Sequence, residues 1–172
     1  PALLEREDVD ITSQSQVAKV ISDLKPQIVI NATGFTDVDG AETNKETARA
    51  INGEGVGYLA RACEGVNATL VHFSTDYVFS GEAQGGYDEN QQREPLNEYG
   101  KSKALGERRI EEVMISGKFY IVLTAWLYGR SKQRGKPRGK NFVETMLSLA
   151  KEGKEIKVVD DQYGKPTFTK DL

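Results

Sequence analysis

Short apolar runs alternate along the chain with longer segments in which apolar residues recur every three or four positions. The short, β-branched runs predict strands at 27–33, 68–74, 118–126 and 155–161. The segments with helical spacing predict helices at 13–25, 41–65, 98–114 and 141–153. Strands that alternate with helices of this length are typical of βαβ units. The pattern therefore predicts one α/β domain over residues 1–172, with a mostly parallel sheet and no linker.

Composition and charge narrow the classes of partner. The 172 residues carry a net charge of −3, which gives no general attraction to nucleic acid or to a membrane surface. No apolar run approaches the roughly 20 residues that cross a bilayer. The single cysteine, Cys63, excludes an intrachain disulfide and fits a reducing, cytoplasmic setting. Because it lies among apolar residues of a predicted helix, we expect a buried structural thiol.

Polar, glycine-bearing or aromatic segments follow the predicted strands, at 31–40, 74–81, 124–129 and 160–167. In an open parallel sheet, ligands bind beyond the carboxyl ends of the strands. These four segments are therefore expected to share one crevice.

Two pairs of residues carry candidate chemistry. Ser74 and Thr75 place hydroxyl groups at the end of a predicted strand, where they either cap backbone groups or face a ligand. Tyr99 and Lys103 stand four residues apart, which puts both side chains on one face of a helix. A free tyrosine has a pKa of about 10, and a neighbouring ammonium group favours the phenolate. The second pair is therefore either ordinary helix surface or a proton-transfer pair.

A hydroxyl, a tyrosine and a lysine in this order, within an alternating α/β chain, resemble the extended short-chain dehydrogenase/reductase family. The segments "STDYVFSG" and "YGKSK" are the most specific part, and "KPQIVINATGFTDVDGAE", "TAWLYG" and "VVDDQYGKPT" extend the resemblance over nearly the whole chain. The resemblance implies a Rossmann-like, doubly wound parallel sheet. It also implies an NADPH- or NADH-dependent reduction of the C4 keto group of a nucleotide-linked 4-keto-6-deoxy sugar, with dTDP-4-dehydro-L-rhamnose as the expected substrate.

The resemblance implies roles for individual residues as well. Thr75 would hold the C4 carbonyl oxygen, and Tyr99 would deliver a proton to that oxygen as hydride arrives at the carbon. Lys103 would bind the nicotinamide ribose and lower the pKa of Tyr99. The other residues expected at the cofactor are Asp10, Ile11, Thr33, Gly34 and Phe35. Those expected at the nucleotide sugar, besides Thr75, are Val38, Tyr77 and Trp126.

Several of these residues have a plainer structural interpretation. Asp10 is equally compatible with loop surface, and Tyr77 and Trp126 with core packing. Asn52 is expected to be structural, and so is His72, which alternates with apolar residues inside a predicted strand. No second histidine accompanies it, and no metal site is predicted.

The chain as a whole also has an alternative of a different class, a non-catalytic regulatory subunit of the same fold that binds NAD(P) or a sugar nucleotide. Members of the family begin with a strand and a glycine-rich turn of the GxxGxxG kind, and they continue into a substrate-binding part. Neither is found in the 172 residues, so we expect them to be part of a longer chain. The preference between NADH and NADPH and the formation of a homodimer stay open.

Two further stretches have compositions that are found in binding sites: one is rich in glycine and one is basic. The segment "GEGVG" at 53–57 follows a predicted helix, whereas a dinucleotide-binding loop needs a strand before it, so we expect small residues for close helix packing. Residues 130–140 carry six basic side chains. Three interpretations of that segment stay open: a solvated loop, a cover for the diphosphate of a sugar nucleotide, or nucleic-acid contact.

Overall fold

The computed structural model of the protein describes residues 1–129 and 141–172. Its helices are α1 (Gln14–Leu24), α2 (Val38–Thr43), α3 (Lys45–Arg49), α4 (Gly55–Gly65), α5 (Glu98–Val113) and α6 (Phe142–Lys151). Its strands are β1 (Ile28–Asn31), β2 (Thr69–Thr75) and β3 (Phe119–Thr124). The basic segment 130–140 lies outside the described residues, and its interpretations stay open. Within the described ranges, no helix is long and apolar enough to cross a membrane.

The three strands form one sheet in the order β1-β2-β3. β1 and β2 run parallel, with Ile28 opposite Thr69 and Asn31 opposite His72. Because the chain passes through three helices between these two strands, it forms a βαβ unit. The carboxyl ends of β1 and β2 therefore lie at the same edge of the sheet, as the predicted parallel α/β fold requires.

The main core lies between β2 and the helices α1, α4 and α5. Its buried residues are Val17, Ile21, Val56, Leu59, Ala60, Cys63, Ala68, Leu70, Ile110 and Met114. Cys63 is fully buried, and burial raises the pKa of its thiol to about 12. The prediction of a buried structural thiol is confirmed.

The small residues of the glycine-rich stretch 53–57 allow close helix packing, as predicted. It spans the end of a π-helical turn, Ala50–Glu54, and the start of α4. A Cβ atom on Gly53 would lie 2.5 Å from Leu105 Cδ2, and one on Gly106 would clash with the Asn52 carbonyl oxygen. Small residues on both sides therefore let α5 lie directly against this turn.

Two predicted strands and one predicted helix differ from the structure. Residues 155–161 form no strand; Val158 and Val159 stay 55% and 64% exposed, so no burial offsets the ordering of an extended segment. The continuous apolar, β-branched run at 27–33 favours a buried strand, but Ile28 and Ile30 of β1 are 61% and 66% exposed, because only the alternate residue Val29 faces the core. The helix predicted at 41–65 is divided into α2, α3, the π-helical turn and α4.

The chain divides into two compact units, Pro1–Leu123 and Thr124–Leu172. In the second unit, a capping box starts α6: Asn141 Oδ1 accepts from the Glu144 N–H at 3.0 Å, and Glu144 Oε2 accepts from the Asn141 N–H at 3.1 Å. The Asn141 side chain also donates to the Gly129 carbonyl at 2.8 Å. That one domain covers residues 1–172 stays a prediction.

Candidate active site

Thr75 is the last residue of β2 and the N-cap of a 3-10 turn, Asp76–Val78. Its hydroxyl oxygen accepts from the Tyr77 N–H at 3.3 Å, and the hydroxyl donates to Asp76 Oδ1 at 3.1 Å. The Thr75 side chain also lies close enough to Tyr99 to lower its pKa. Thr75 therefore caps the turn and faces the candidate chemistry at the same time, so its two interpretations are compatible.

Helix α5 brings Tyr99 to the turn that follows β2. The helix begins at the N-cap Asn97, whose side chain accepts from the Gly100 N–H at 2.7 Å. A Cβ atom on Gly100 would clash with the Tyr77 carbonyl oxygen, so glycine is needed for this close approach. The rings of Tyr77 and Tyr99 meet edge to face, with centroids 5.7 Å apart at an interplanar angle of 77°. The glycine in "YGKSK" thus sets the position of the tyrosine before it.

The surroundings of Tyr99 keep its phenol protonated. Burial raises its pKa above the usual value, the nearby Thr75 hydroxyl opposes this, and Asp76 and Tyr77 raise the pKa further. The net direction is upward, so the group carries its proton at neutral pH.

Lys103 points toward β2. Its side chain is 5% exposed, and Nζ donates to the Phe73 carbonyl at 2.6 Å and lies 3.3 Å from His72 Nε2. Burial lowers the pKa of Lys103 to about 8, and Glu107 on the next helical turn opposes that shift. That Lys103 lowers the pKa of Tyr99 stays a prediction; in this structure burial has the largest effect on the pKa of Tyr99, and Lys103 Nζ is held by the Phe73 carbonyl.

The segment after β1 presents exposed backbone at the same edge of the sheet. Thr33 donates to Asn31 Oδ1 through its N–H at 3.1 Å and through Oγ1 at 2.7 Å. The Phe35 N–H donates to Asn52 Oδ1 at 2.8 Å, and Asn52 Nδ2 donates to the Phe35 carbonyl at 3.0 Å. Gly34, between these anchored residues, is exposed. A ligand can therefore approach this stretch of backbone closely.

Asn52 connects the segment after β1 with helix α5. It lies in the π-helical turn and is 1% exposed. Besides Phe35, its Nδ2 contacts Ser102 Oγ at 2.9 Å, and Ser102 donates to the Tyr99 carbonyl at 2.7 Å. The predicted structural role of Asn52 is confirmed, and the structure shows which segments it holds.

The remaining predicted residues of the first unit contact other elements. Asp10 Oδ1 accepts from the Thr12 N–H at 2.9 Å and from the Thr12 hydroxyl at 2.7 Å, and these bonds lower the pKa of Asp10. Ile11 is half-buried beside Gly55 at the start of α4, and Val38 is the half-buried first residue of α2. Their predicted contacts with the cofactor and the sugar stay predictions.

Trp126 belongs to the second unit. It is 45% exposed and has a positive φ of 46°. A Cβ atom on Gly164 would lie 2.8 Å from Trp126 Cε2, so the indole ring packs against that glycine. The predicted contact of Trp126 with the nucleotide sugar also stays a prediction.

A buried ion pair beside the site was missed by sequence reasoning. Glu107 is 1% exposed and accepts hydrogen bonds from the Ser74 hydroxyl and from Arg93 Nε, the latter at 2.5 Å. Arg93 also forms a fork with Glu111, with bonds of 3.0 and 2.6 Å. The spacing of four residues from Lys103 could have placed Glu107 on the same helix face. Nothing local points to Arg93, whose contacts are long-range.

Fold and site together are typical of one class of protein, a Rossmann-like protein with a proton-donating site at the end of a strand. A parallel Rossmann-like sheet holds a threonine hydroxyl and a protonated tyrosine at the carboxyl end of a central strand, beside a buried lysine. This arrangement can hold an oxygen atom and transfer a proton to it.

Comparison with known proteins identifies the family. The RmlD substrate binding domain family matches residues 2–172, and the chain belongs to this family. A dTDP-4-dehydrorhamnose reductase of Burkholderia thailandensis is 41% identical over 169 residues, which are 98% of this chain and 54% of the relative. A dTDP-4-keto-6-deoxy-D-glucose reductase of Streptomyces niveus is 38% identical over 167 residues, 97% of this chain and 55% of the relative. The chain thus spans about half the length of these curated relatives.

A solved structure is similar over the same range. The dTDP-4-dehydrorhamnose reductase of Bacillus anthracis, in complex with NADP, has a TM-score of 0.89 at 43% identity, covering 98% of this chain and 57% of that chain. This likeness confirms the predicted Rossmann-like fold.

Proposed function

We propose that this chain carries the proton donor of an NAD(P)H-dependent reductase that acts on the C4 keto group of a dTDP-linked 4-keto-6-deoxy sugar. The expected substrate is dTDP-4-dehydro-L-rhamnose. The observation that carries the proposal is the position of Tyr99, a phenol that stays protonated at neutral pH, against the turn that Thr75 caps at the end of β2. The names of the relatives as reductases of dTDP-linked sugars and the NADP in the Bacillus anthracis structure support it.

Tyr99 is suited to act as a general acid. Its raised pKa keeps the phenol protonated at neutral pH, and a reduction needs a proton at the carbonyl oxygen as that oxygen becomes a hydroxyl group. A carbonyl oxygen has two lone pairs, so the Thr75 hydroxyl can donate to one while Tyr99 delivers its proton to the other. The hydroxyl donates to Asp76 in this structure, and it would turn from that carboxylate to the substrate oxygen.

The residues after β1 and on α5 fit the nicotinamide end of a dinucleotide. Thr33 and Gly34 are exposed and offer a ligand close approach and hydrogen-bonding groups, and the half-buried Phe35 is held beside them by Asn52. Lys103 Nζ has donor capacity beyond its bond to the Phe73 carbonyl and can hold a ribose hydroxyl. When bound, the cofactor supplies the hydride that the carbonyl carbon accepts. We place Asp10 and Ile11 at its adenine end, and we treat residues 1–172 as one NAD(P)-binding domain.

The proposal is tested by following NADPH and NADH oxidation with dTDP-4-dehydro-L-rhamnose, using the complete product of the gene. Cofactor oxidation matched by formation of dTDP-L-rhamnose is expected. Turnover of a different dTDP-linked 4-keto sugar alone would keep the reductase and change its substrate. Thermal stabilisation by NADPH without turnover of any such sugar would instead support the non-catalytic binding subunit.

A further inference from the structure

A buried carboxylate, Glu107, lies one helical turn beyond Lys103 on α5. Its side chain is 1% exposed, and the proposed proton transfer from Tyr99 uses none of its contacts. A charge in such a place needs partners, because burying an unpaired carboxylate is very unfavourable. The partners of Glu107 therefore show which parts of the molecule this carboxylate holds together.

The two oxygens of Glu107 bind groups from two different segments of the chain. Oε1 accepts from the Ser74 hydroxyl on β2, and Oε2 accepts from Arg93 Nε at 2.5 Å. Arg93 belongs to the segment before α5, and its two terminal nitrogens donate to the Glu111 carboxylate at 3.0 and 2.6 Å. The Glu111 side chain is 42% exposed, so the network ends at the surface. One buried carboxylate thus joins α5, the end of β2 and the segment that precedes the helix.

Consecutive residues of β2 hold the two charged side chains of α5. The Phe73 carbonyl accepts from Lys103 Nζ at 2.6 Å, and Ser74, the next residue, donates to Glu107. Thr75, the third residue of this row, is the one that we place at the substrate oxygen. Because the two contacts are one helical turn apart on α5, the helix cannot slide or rotate on β2 without breaking one of them. The first turn of α5, which carries the proton donor, is therefore fixed relative to Thr75.

The network also supplies charge next to Lys103. From β2, the titratable group that faces Lys103 is His72, whose Nε2 lies 3.3 Å from Nζ and whose pKa is lowered by burial to about 3, so its ring is neutral. From α5, the titratable group is Glu107, and Arg93 reaches the same carboxylate from the segment before the helix. Burial lowers the pKa of Lys103 to about 8, and Glu107 opposes that shift, so the ammonium predominates at neutral pH. Glu107 is therefore the neighbouring charge that favours the ammonium.

We propose that Glu107 is a positioning residue: its carboxylate, shared between Ser74 and Arg93, fixes α5 on the end of β2 and places a negative charge one turn from the Lys103 ammonium. Its meaning for catalysis rests on the proposed reductase function. In that reaction Glu107 touches neither substrate nor cofactor, and it acts through Lys103 and through the position of α5. A substitution that removes its charge and keeps its shape should therefore change the behaviour of Lys103.

The ionisation of Lys103 tests the inference directly. In the complete product of the gene, lysine labelled with ¹³C at Cε reports the lysine pKa by NMR, and Lys103→Met assigns the resonance. In Glu107→Gln the pKa of Lys103 is expected to fall by about one pH unit, because the charge that favours the ammonium is lost. Glu111→Gln, at the exposed end of the same network, is the control and should leave that pKa unchanged.

An unchanged Lys103 pKa in folded Glu107→Gln, or an equal fall in Glu111→Gln, contradicts the proposal. Should Glu107→Gln fail to fold, the double variant Arg93→Met/Glu107→Gln removes both charges of the buried pair, which proteins tolerate better than the loss of one. The same fall in the Lys103 pKa is expected there, and its absence is equally contradictory. The titration needs no turnover, so its result is independent of the outcome of the reductase assay.

The pH profile of turnover separates positioning from simple core filling. In Glu107→Gln the alkaline limb of kcat for sugar reduction should move to lower pH by about one unit, together with the pKa of Lys103. Ile110→Val, which removes buried volume from the same helix, is the control and should lower stability without moving that limb. A limb that stays in place in Glu107→Gln, or that moves equally in Ile110→Val, would show that Glu107 only fills the core.

Discussion

The carboxyl ends of β1 and β2 lie side by side in one sheet, yet they are built differently. At the end of β2, Thr75 is 6% exposed, Lys103 reaches the strand from α5 and is 5% exposed, and Tyr99 is packed against the turn. After β1, Thr33 and Gly34 are exposed, and two buried asparagine side chains hold the segment from below. The protein therefore combines rigidly placed reacting groups at one strand end with accessible backbone at the other.

A buried strand end beside an exposed one suits the proposed reaction, which needs a fixed proton donor and an accessible surface for the ligand. A proton donor works only when it is held in a narrow range of geometry, and supporting hydrogen bonds provide that order. A large ligand, in contrast, needs surface that it can reach. Asn52 joins the segment after β1 to helix α5, which carries Tyr99, so the two ends are expected to respond differently to substitution without being independent.

The largest effect is expected at the buried end. Tyr99→Phe keeps the ring against Tyr77 and removes the proton donor, so kcat for sugar reduction should fall about 10³-fold. Tyr58→Phe, at a half-buried tyrosine of α4, is the matched control and should leave kcat unchanged. Steady-state kinetics with NADPH check both variants. A Tyr99→Phe protein as fast as the wild type would remove the tyrosine from the mechanism.

The ion pair that supports the buried end should matter for stability. Arg93→Met leaves the Glu107 carboxylate buried without its cation, and we expect a loss of about 3 kcal/mol in the free energy of unfolding. Glu111→Gln weakens only the more exposed half of the network and should cost less than about 1 kcal/mol. Urea unfolding measures both. Equal losses would mean that burial of Glu107 is not the cause.

The buried lysine predicts a pH dependence of stability. The pKa of Lys103 is about 8 in the folded chain, against an ordinary value of 10.5. Between these pH values the unfolded chain binds a proton that the folded chain does not, so the wild type should gain stability relative to Lys103→Met as pH rises. The gain should reach at most about 3 kcal/mol. Taking the difference cancels the opposite effect of the Cys63 thiol, and a flat difference would contradict the lowered pKa.

The smallest effect is expected at the exposed end. Asn52→Ala removes the side chain that holds Phe35 and Ser102, so the segment after β1 should loosen. NADPH binding, followed by fluorescence, should weaken about tenfold, while kcat at saturation changes little. Asn44→Ala, at an exposed asparagine between α2 and α3, is the control and should not alter binding. A loss of kcat as large as that of Tyr99→Phe would show that the two ends are not distinct.

Sequence reasoning predicted where Thr75 and Tyr99 lie in the fold, at the end of a strand and at the start of a helix, because both positions follow from local sequence patterns. It also predicted the helices α1, α5 and α6 close to their observed bounds, since apolar spacing along a helix is a local pattern. The helix interpretation of "GEGVG" succeeded for the same reason.

What sequence reasoning missed depends on partners far along the chain. Spacing shows that Tyr99 and Lys103 share a helix face, but the direction of Lys103 follows from the Phe73 carbonyl, thirty residues away. Arg93 meets Glu107 only because of the path taken by the segment before α5. The run 155–161 has the composition of a strand, yet composition does not show whether its apolar side chains are buried.

The protonation of Tyr99 is the property on which the proposed reduction depends most directly. Tyrosine labelled with ¹³C at Cζ, with Tyr99→Phe for assignment, would follow the ionisation of this phenol by NMR across the pH range. The account predicts that Tyr99 stays protonated through neutral pH and titrates above the ordinary tyrosine value. A phenol that ionises below pH values of about 7 would contradict it, because Tyr99 would then have no proton to give to the sugar.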